Sequence, residues 1–272
     1  MKTAIIIPCY NEANRINKVA FENFINDSEN YHLCFVNDGS KDETLDVLKQ
    51  IQQTNHDKVT VIDMKRNSGK AAAVRAGARY LYNREDIENV GFIDADLSTD
   101  FEDFIALDDS LKRNTTLKMV FGSRAKDNGG DGIKKDPMRA LFSKIIKMCV
   151  FLILGLPIED TQCGAKVFRK DLIPVIYATN FLSKWLFDVE MFIRLKKHMG
   201  GKDAVMQVIQ EQALNRWVHV EDSKLGLKDS LEIPVRLLVI WFNYNILSAV
   251  NDLYLVDETE ALTEVYSLPL AA

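Results

Sequence analysis

Hydrophobic and polar positions in the first half of the chain follow two alternating rhythms. Short runs rich in β-branched residues at 4–8 (AIIIP), 33–36 (LCFV), 59–62 (VTVI), 90–93 (VGFI) and 118–121 (KMVF) predict strands. Between them, stretches near 12–26, 41–54, 69–83 and 101–113 predict amphipathic helices, with Leu45, Leu48 and Ile51 at helical spacing in the second. Ser40 followed by Glu43 has the form of a capping box that starts this second helix. Next comes a polar, glycine-rich stretch at 126–137 (KDNGGDGIKKDP), which reads either as a mobile lid or as an idle surface loop. Beyond it the pattern predicts a helix through Leu156, a strand at 165–168, a helix at 187–198, a strand near 205–210 and helix again from about Asp229. This alternation implies an α/β fold: a mostly parallel twisted sheet, helices on both faces and a helical carboxyl-terminal tail.

Composition narrows the picture. The chain has 272 residues, is 47% hydrophobic and carries a net charge of -5 with both signs interspersed, so no basic field marks a nucleic-acid surface. Cys9, Cys34, Cys149 and Cys163 lack paired C-x-x-C spacing and no signal peptide precedes Ala4, which points to a reduced cytoplasmic setting. No run reaches the ~18 apolar residues of a spanning helix. The segments 148–158 (MCVFLILGLPI) and 237–250 (LLVIWFNYNILSAV) come partway, as buried core helices or as a face resting on a membrane.

Ligands of such sheets bind beyond the carboxyl ends of the strands. Tyr10-Asn11-Glu12, Asn37-Asp38-Gly39-Ser40, Asp94-Ala95-Asp96 and Gly122-Ser123-Arg124 each follow a predicted strand directly, and four such clusters imply one site. Asp94 and Asp96, separated by the small Ala95, offer hard carboxylate oxygens for Mg²⁺ or Mn²⁺, with diphosphate oxygens and water completing the octahedron. Lys70 in Asn67-Ser68-Gly69-Lys70-Ala71 invites comparison with a phosphate loop. Met64 and Ala71 stand where a Walker motif needs glycine and a hydroxyl, which leaves a helix amino terminus with Lys70 and Arg75 near an anion. Asp160, in the polar turn Asp160-Thr161-Gln162-Cys163-Gly164, is the general-base candidate. Arg124, Arg139, Ser223 and Lys224 suit phosphate groups. Trp185 with Phe187, Asp188 and Glu190, and Trp217 with His219, suit either a sugar or core packing. His219 has no spaced partners and no metal role.

In order and spacing these segments resemble the inverting family-2 glycosyltransferases of GT-A fold, and within them the dolichyl-phosphate and polyprenyl-phosphate glucose synthases. The likeness spans roughly residues 3–225. Pro8-Cys9-Tyr10-Asn11-Glu12, Asn37-Asp38-Gly39-Ser40, Gly69-Lys70 with Val74-Arg75, and Asp94-Ala95-Asp96 resemble the general family pattern. Gly122-Ser123-Arg124-Ala125, Asp160 to Gly164, Phe187-Asp188-Val189-Glu190 and Ser223-Lys224-Leu225 resemble the glucose-synthase branch. The resemblance implies that Pro8, Tyr10, Glu12 and Asp38 hold the nucleotide base and ribose, and that Lys70, Asp94, Ala95, Asp96 and Arg124 surround the diphosphate and metal. It also implies that Arg124 and Arg139 face phosphates. Gln162, Trp185, Asp188, Ser223 and Lys224 join Arg139 as candidates for the acceptor and its phosphate, and Asp160 and Asp96 are the candidates for catalysis. The implied donor is UDP-glucose, or GDP-mannose in a sister branch, and the implied acceptor is a polyprenyl phosphate at the inner face of a membrane.

Three positions depart from the pattern. The chain starts two residues before its first strand, where eukaryotic relatives carry an anchor; Ser98 replaces a metal-coordinating Gln of some mannose synthases; and Asp222 replaces Gly before Ser223-Lys224. The expectation is a catalytic domain over 1–225 and a helical extension over 226–272, packed on that domain or on a membrane surface. The rival expectations are transfer to a sugar hydroxyl in cell-surface polysaccharide assembly, and a non-catalytic nucleotide-sugar-binding protein.

Overall fold

Alternate residues of the first strand face opposite helical layers: Ile5 and Ile7 join one buried cluster, Ala4 and Ile6 the other. The structure is a computed structural model that describes residues 1–124, 137–216 and 227–247, with backbone alone over 137–145 and 227–231. Among these residues seven strands form one sheet: β1 (Lys2–Cys9), β2 (Tyr31–Asn37), β3 (Val59–Asp63), β4 (Ile87–Phe92), β5 (Met119–Ser123), β6 (Lys166–Arg169) and β7 (Ile209–Ala213), in the order β3-β2-β1-β4-β6-β5-β7. Only β6 runs antiparallel to its neighbours. The order reverses between β1 and β4, which makes that junction the switch point where such sheets open a ligand crevice.

Helices α1 (Lys18–Asp27), α2 (Thr44–Thr54) and α4 (Phe101–Arg113) cover one face. On the other lie α3 (Lys70–Tyr82), α5 (Pro137–Leu154), the short α6 (Ile173–Ile176), α7 (Phe187–His198), α8 (Lys202–Val208) and α9 (Leu227–Phe242). The last is followed by a π-helical turn over Asn243–Leu247. Leu237 and Ile240 bury α9 in the same core as Val150 and Leu154 of α5. Beneath the sheet, the fully buried Asp108 of α4 accepts from Thr3, Tyr31 and Asn89 and pairs with Lys112 at 2.7 Å, tying α4 to three strands. Pro8 is tolerated in a central strand because Ile6 spends its carbonyl on Ile93, and Pro8, two residues on, faces the same way past the end of β4.

The expected elements all appear, with three corrections. The first helix starts at Lys18 rather than near 12, because the Asn17 side chain accepts from the Ala20 amide and caps it there. The Ser40/Glu43 capping box does not form. Glu43 makes no side-chain cap, Ser40 Oγ accepts from the Asn11 amide, and Asp42 takes the Thr44 amide and hydroxyl instead. Residues 205–208, expected as strand, close the helix α8, and the strand follows at Ile209–Ala213; apolar residues at 205, 206 and 208 fit either period in so short a run. The stretch 126–136 and the expected boundary at 225 lie outside the described residues. No described helix is long and apolar enough to cross a membrane.

Candidate active site

All four polar clusters emerge at the same edge of the sheet, since β1, β2, β4 and β5 run parallel in space. The antiparallel β6 starts at that edge, so the Asp160 to Gly164 turn preceding it joins them. Asn11 and Leu97 adopt positive φ of 51° and 52°, left-handed conformations that cost L-residues energy and that collect at functional turns.

The first two clusters are stitched to each other. Asn11 Oδ1 accepts from the Lys41 amide, the Glu12 amide donates to Thr44 Oγ1, and the Asp38 amide donates to the Cys9 carbonyl. Asp38 is buried, and its two oxygens accept from the Ser68 and Gly69 amides at 2.7 Å each. Burial pushes its carboxyl above the ordinary value against these two bonds. The aspartate therefore anchors the loop that starts α3. Gly69 closes this loop with φ of 95°, and its missing Cβ leaves room for the Lys184 side chain, which crosses at 2.9 Å from where that atom would be.

Lys70, the first residue of α3, reaches Asp94 Oδ1 at 2.5 Å. Burial alone would lower its pKa, but Asp94, Asp188 and Asp96 outweigh that and raise it. On the other side Arg15 stands 3.7 Å from Asp96 Oδ2 and 3.6 Å from Glu12. Asp96 Oδ1 accepts from the Ser98 amide, so the residue at this position braces the carboxylate through its backbone. Asp94 and Asp96 keep 32% and 26% of their side-chain surface open, while Ala95 is buried. Gly164 lies flat against Asp94, and a Cβ there would overlap Oδ2. Two open, hard carboxylates beside a side-chain-free flank fit Mg²⁺ or Mn²⁺. Among the described residues no group of three metal-ligating side chains exists, so these two carboxylates are the candidate ligands there.

Asp160 is held rather than free. Both its oxygens receive Arg124, at 2.7 Å from Nε and 2.8 Å from Nη2, and the Arg124 amide adds a third bond. Burial would raise its pKa, yet the Arg124 bonds win and hold the carboxyl below the ordinary value. Glu211 of β7 fixes the turn from behind through the Glu159 and Asp160 amides. Gln162 is half-buried in the same turn, with its own amide on Asp160 Oδ1.

Several expected contributors lie elsewhere. Arg75 donates to the carbonyls of Tyr177 and Ala178, one and a half turns from the helix start, so it is a structural clamp and not an anion ligand. Phe187 and Glu190 are fully buried; Glu190 accepts from the Leu182 and Ser183 amides and from the Tyr244 hydroxyl, and faces no sugar. Asp188 is 5% exposed and pairs with the fully buried Lys166 at 2.6 Å. Burial pushes its carboxyl up even against Lys166 and Lys70. Trp185 is open, beside Lys184 at the mouth of the Gly69 loop. The Arg139 side chain, Trp217, His219, Asp222, Ser223 and Lys224 lie outside the described residues. Arg15, Lys166, Lys184 and Glu211 were not legible as site residues; each is an isolated charge in sequence, and only folding brings it to the strand ends.

With this geometry in place, the family model described as Glycosyl transferase family 2 matches residues 4–176. A dolichyl-phosphate beta-glucosyltransferase of Trichomonas vaginalis is 27% identical over 249 residues, 88% of this chain and 70% of that protein. The Saccharomyces cerevisiae protein of the same name is 29% identical over 261 residues, 89% of this chain and 74% of its own. Among solved structures, glucosyl-3-phosphoglycerate synthase from Mycobacterium tuberculosis, in complex with Mn²⁺, UDP and glucosyl-3-phosphoglycerate, superposes with a TM-score of 0.63 at 15% identity. That match covers 89% of this chain and 79% of that one, and it establishes the GT-A fold.

Proposed function

Since the chain belongs to glycosyl transferase family 2, we propose that it transfers glucose, with inversion, from UDP-glucose to a polyprenyl phosphate. The observation that carries this reading is the pairing at the end of β4: two open carboxylates flanked by Lys70 and Arg15. One surface thus offers a divalent-cation site and fixed positive charge for a diphosphate. The glucosyl donor and lipid-phosphate acceptor follow the names of the relatives.

A bound Mg²⁺ or Mn²⁺ on Asp94 and Asp96 would neutralise charge on the departing diphosphate. Lys70 and Arg15 add positive charge on either side of it. An oxygen of the acceptor phosphate attacks glucose C1 while the bond from C1 to the UDP oxygen breaks, inverting C1 and leaving the electron pair on UDP. A phosphate monoester has a second pKa of about 6 and is already anionic at neutral pH, so no base need remove a proton. Asp160, locked on Arg124, then serves by holding that arginine toward the phosphates. A sugar hydroxyl acceptor would need a free base, which a carboxylate in a bidentate pair with a depressed pKa supplies poorly.

The acceptor's lipid chain gives a use to an open apolar stripe. Met148, Phe151 and Leu152 of α5, and Val235, Leu238, Val239 and Phe242 of α9, are exposed at helical spacing on two helices that pack together. We place this stripe on the membrane surface that holds the acceptor. The test supplies UDP-glucose or GDP-mannose with Mn²⁺ and a polyprenyl phosphate in liposomes, identifying nucleotide and product by mass spectrometry. The expected result is UDP release with a glucosyl phospholipid. Product from GDP-mannose alone, or nucleotide binding without transfer, would overturn the reading.

A further inference from the structure

Asp94 already carries a cation, Lys70. Lys70 Nζ lies 2.5 Å from Asp94 Oδ1, on one of the two carboxylates that would hold a divalent ion. Behind it, out of solvent, sits a second carboxylate with its own counter-ion: Asp188, paired with Lys166 Nζ at 2.6 Å. Lys166 is fully buried and also donates to the Cys163 carbonyl at 2.6 Å, so it cannot follow a ligand outward. Both ammonium groups lie over the Phe92 ring, at 6.0 Å (Lys70) and 5.3 Å (Lys166) from its centroid. Lys70 therefore lies in the field of two carboxylates, the partly open Asp94 and the buried Asp188.

These charges place Lys70 at the junction of two demands. A carboxylate has lone pairs for both a divalent ion and a lysine, but an ammonium so near a divalent cation is repelled by like charge. Lys70 must leave Asp94 as the ion arrives, and a half-buried ammonium that loses its partner needs another. Asp188 stands ready for it.

Resting on the metal site proposed above, we propose that Lys70 competes with the divalent cation for Asp94, and that the buried Asp188–Lys166 pair is the positioning device that receives Lys70 on exchange. Before a divalent ion binds, the lysine keeps the Asp94 carboxylate compensated and in place. Once the cation and diphosphate are bound, Asp188 would balance the released ammonium, whose charge still acts on the diphosphate. Asp188 acts only through Lys70; it touches neither donor nor acceptor.

The test measures Mn²⁺ binding to the full chain by the loss of the free-ion electron paramagnetic resonance signal, first without nucleotide and then UDP binding with Mn²⁺ present. Lys70→Gln should tighten Mn²⁺ binding without nucleotide by about tenfold, within the range typical of coupled ligands, and weaken UDP binding. A damaged fold loses both, so the opposite signs identify the exchange. Asp188→Asn should weaken Mn²⁺ binding, because Lys70 then has no second partner, and this loss should vanish in the Lys70→Gln/Asp188→Asn double variant. Unchanged or weaker Mn²⁺ binding in Lys70→Gln overturns the exchange, as does an Asp188→Asn loss that persists in the double variant. If neither wild type nor Lys70→Gln binds Mn²⁺ with or without UDP, the metal site itself fails, and the exchange with it.

Discussion

Gly164 offers the sharpest test of the site, because the perturbation is one methyl group at a known place. A Cβ built on Gly164 falls against the Asp94 carboxylate, 2.9 Å from Cγ and closer still to Oδ2. Ordinary carbon contacts lie near ~3.5 Å, so the carboxylate must retreat by about 1 Å. It cannot retreat along the Lys70 bond, already 2.5 Å long, and must swing away from the position it shares with Asp96. A misplacement of ~1 Å at a reacting group costs on the order of 100-fold. Gly164→Ala should therefore lower kcat/KM for UDP release from UDP-glucose by about two orders of magnitude. Gly164 lies in a half-buried turn, so melting followed by circular dichroism should shift by only a few degrees, about 2–4 °C per kcal/mol for a domain of this size. Activity within threefold of wild type, with unchanged Mn²⁺ dependence, would show that the Asp94 flank is not part of the site.

Other residues yield further expectations. Asp160→Asn and Arg124→Ala should each lower transfer to a lipid phosphate by a similar factor, and the double variant should be little worse than either, because the two act as one bidentate unit. A loss of ~10³-fold or more in Asp160→Asn alone, with Arg124→Ala mild, would instead mark Asp160 as a base. His32 is buried, and burial, with Arg84 next, lowers its pKa from 6.5 to about 4. The unfolded chain takes up this proton below 6.5 and the folded chain only near 4, so stability is lost as pH falls across that window, by an upper bound of about 3 kcal/mol. His32→Gln should lack this slope in urea titrations at pH 7 and pH 4.5, and an identical slope in both proteins would refute the assignment. Leu152→Glu with Leu238→Glu should keep the melting temperature but abolish flotation with liposomes; flotation at wild-type levels would remove the membrane role of the α5–α9 stripe.

Local pattern was informative wherever one period dominated. The helices at 101–113 and 187–198 and the strand starting at 59 lie where the hydrophobic spacing put them, since a buried stripe or a buried run leaves a repeat that reading along the chain detects. It failed where two local solutions competed. Asn17 and Asp42 displaced the expected helix starts, and the apolar positions at 205–208 are equally good for helix and strand. Chemistry followed the same division. Asp94-Ala95-Asp96 and its three companion clusters were legible because each directly follows a strand, and parallel strands end at a common edge.

By itself, then, the sequence determined the α/β alternation, the strand-end polar clusters and a resemblance specific enough to indicate a glycosyl transferase. Tertiary structure decided which charges meet. It set Lys70 on Asp94 across a separation of 24 residues, locked Asp160 onto Arg124, withdrew Arg75 to the Tyr177 and Ala178 carbonyls, and turned Asp188 inward onto Lys166. The physical reason is range. Hydrogen-bonded periodicity is written between residues three or four apart, whereas an ion pair depends on where two distant backbones come to rest, and no spacing along the chain records that distance.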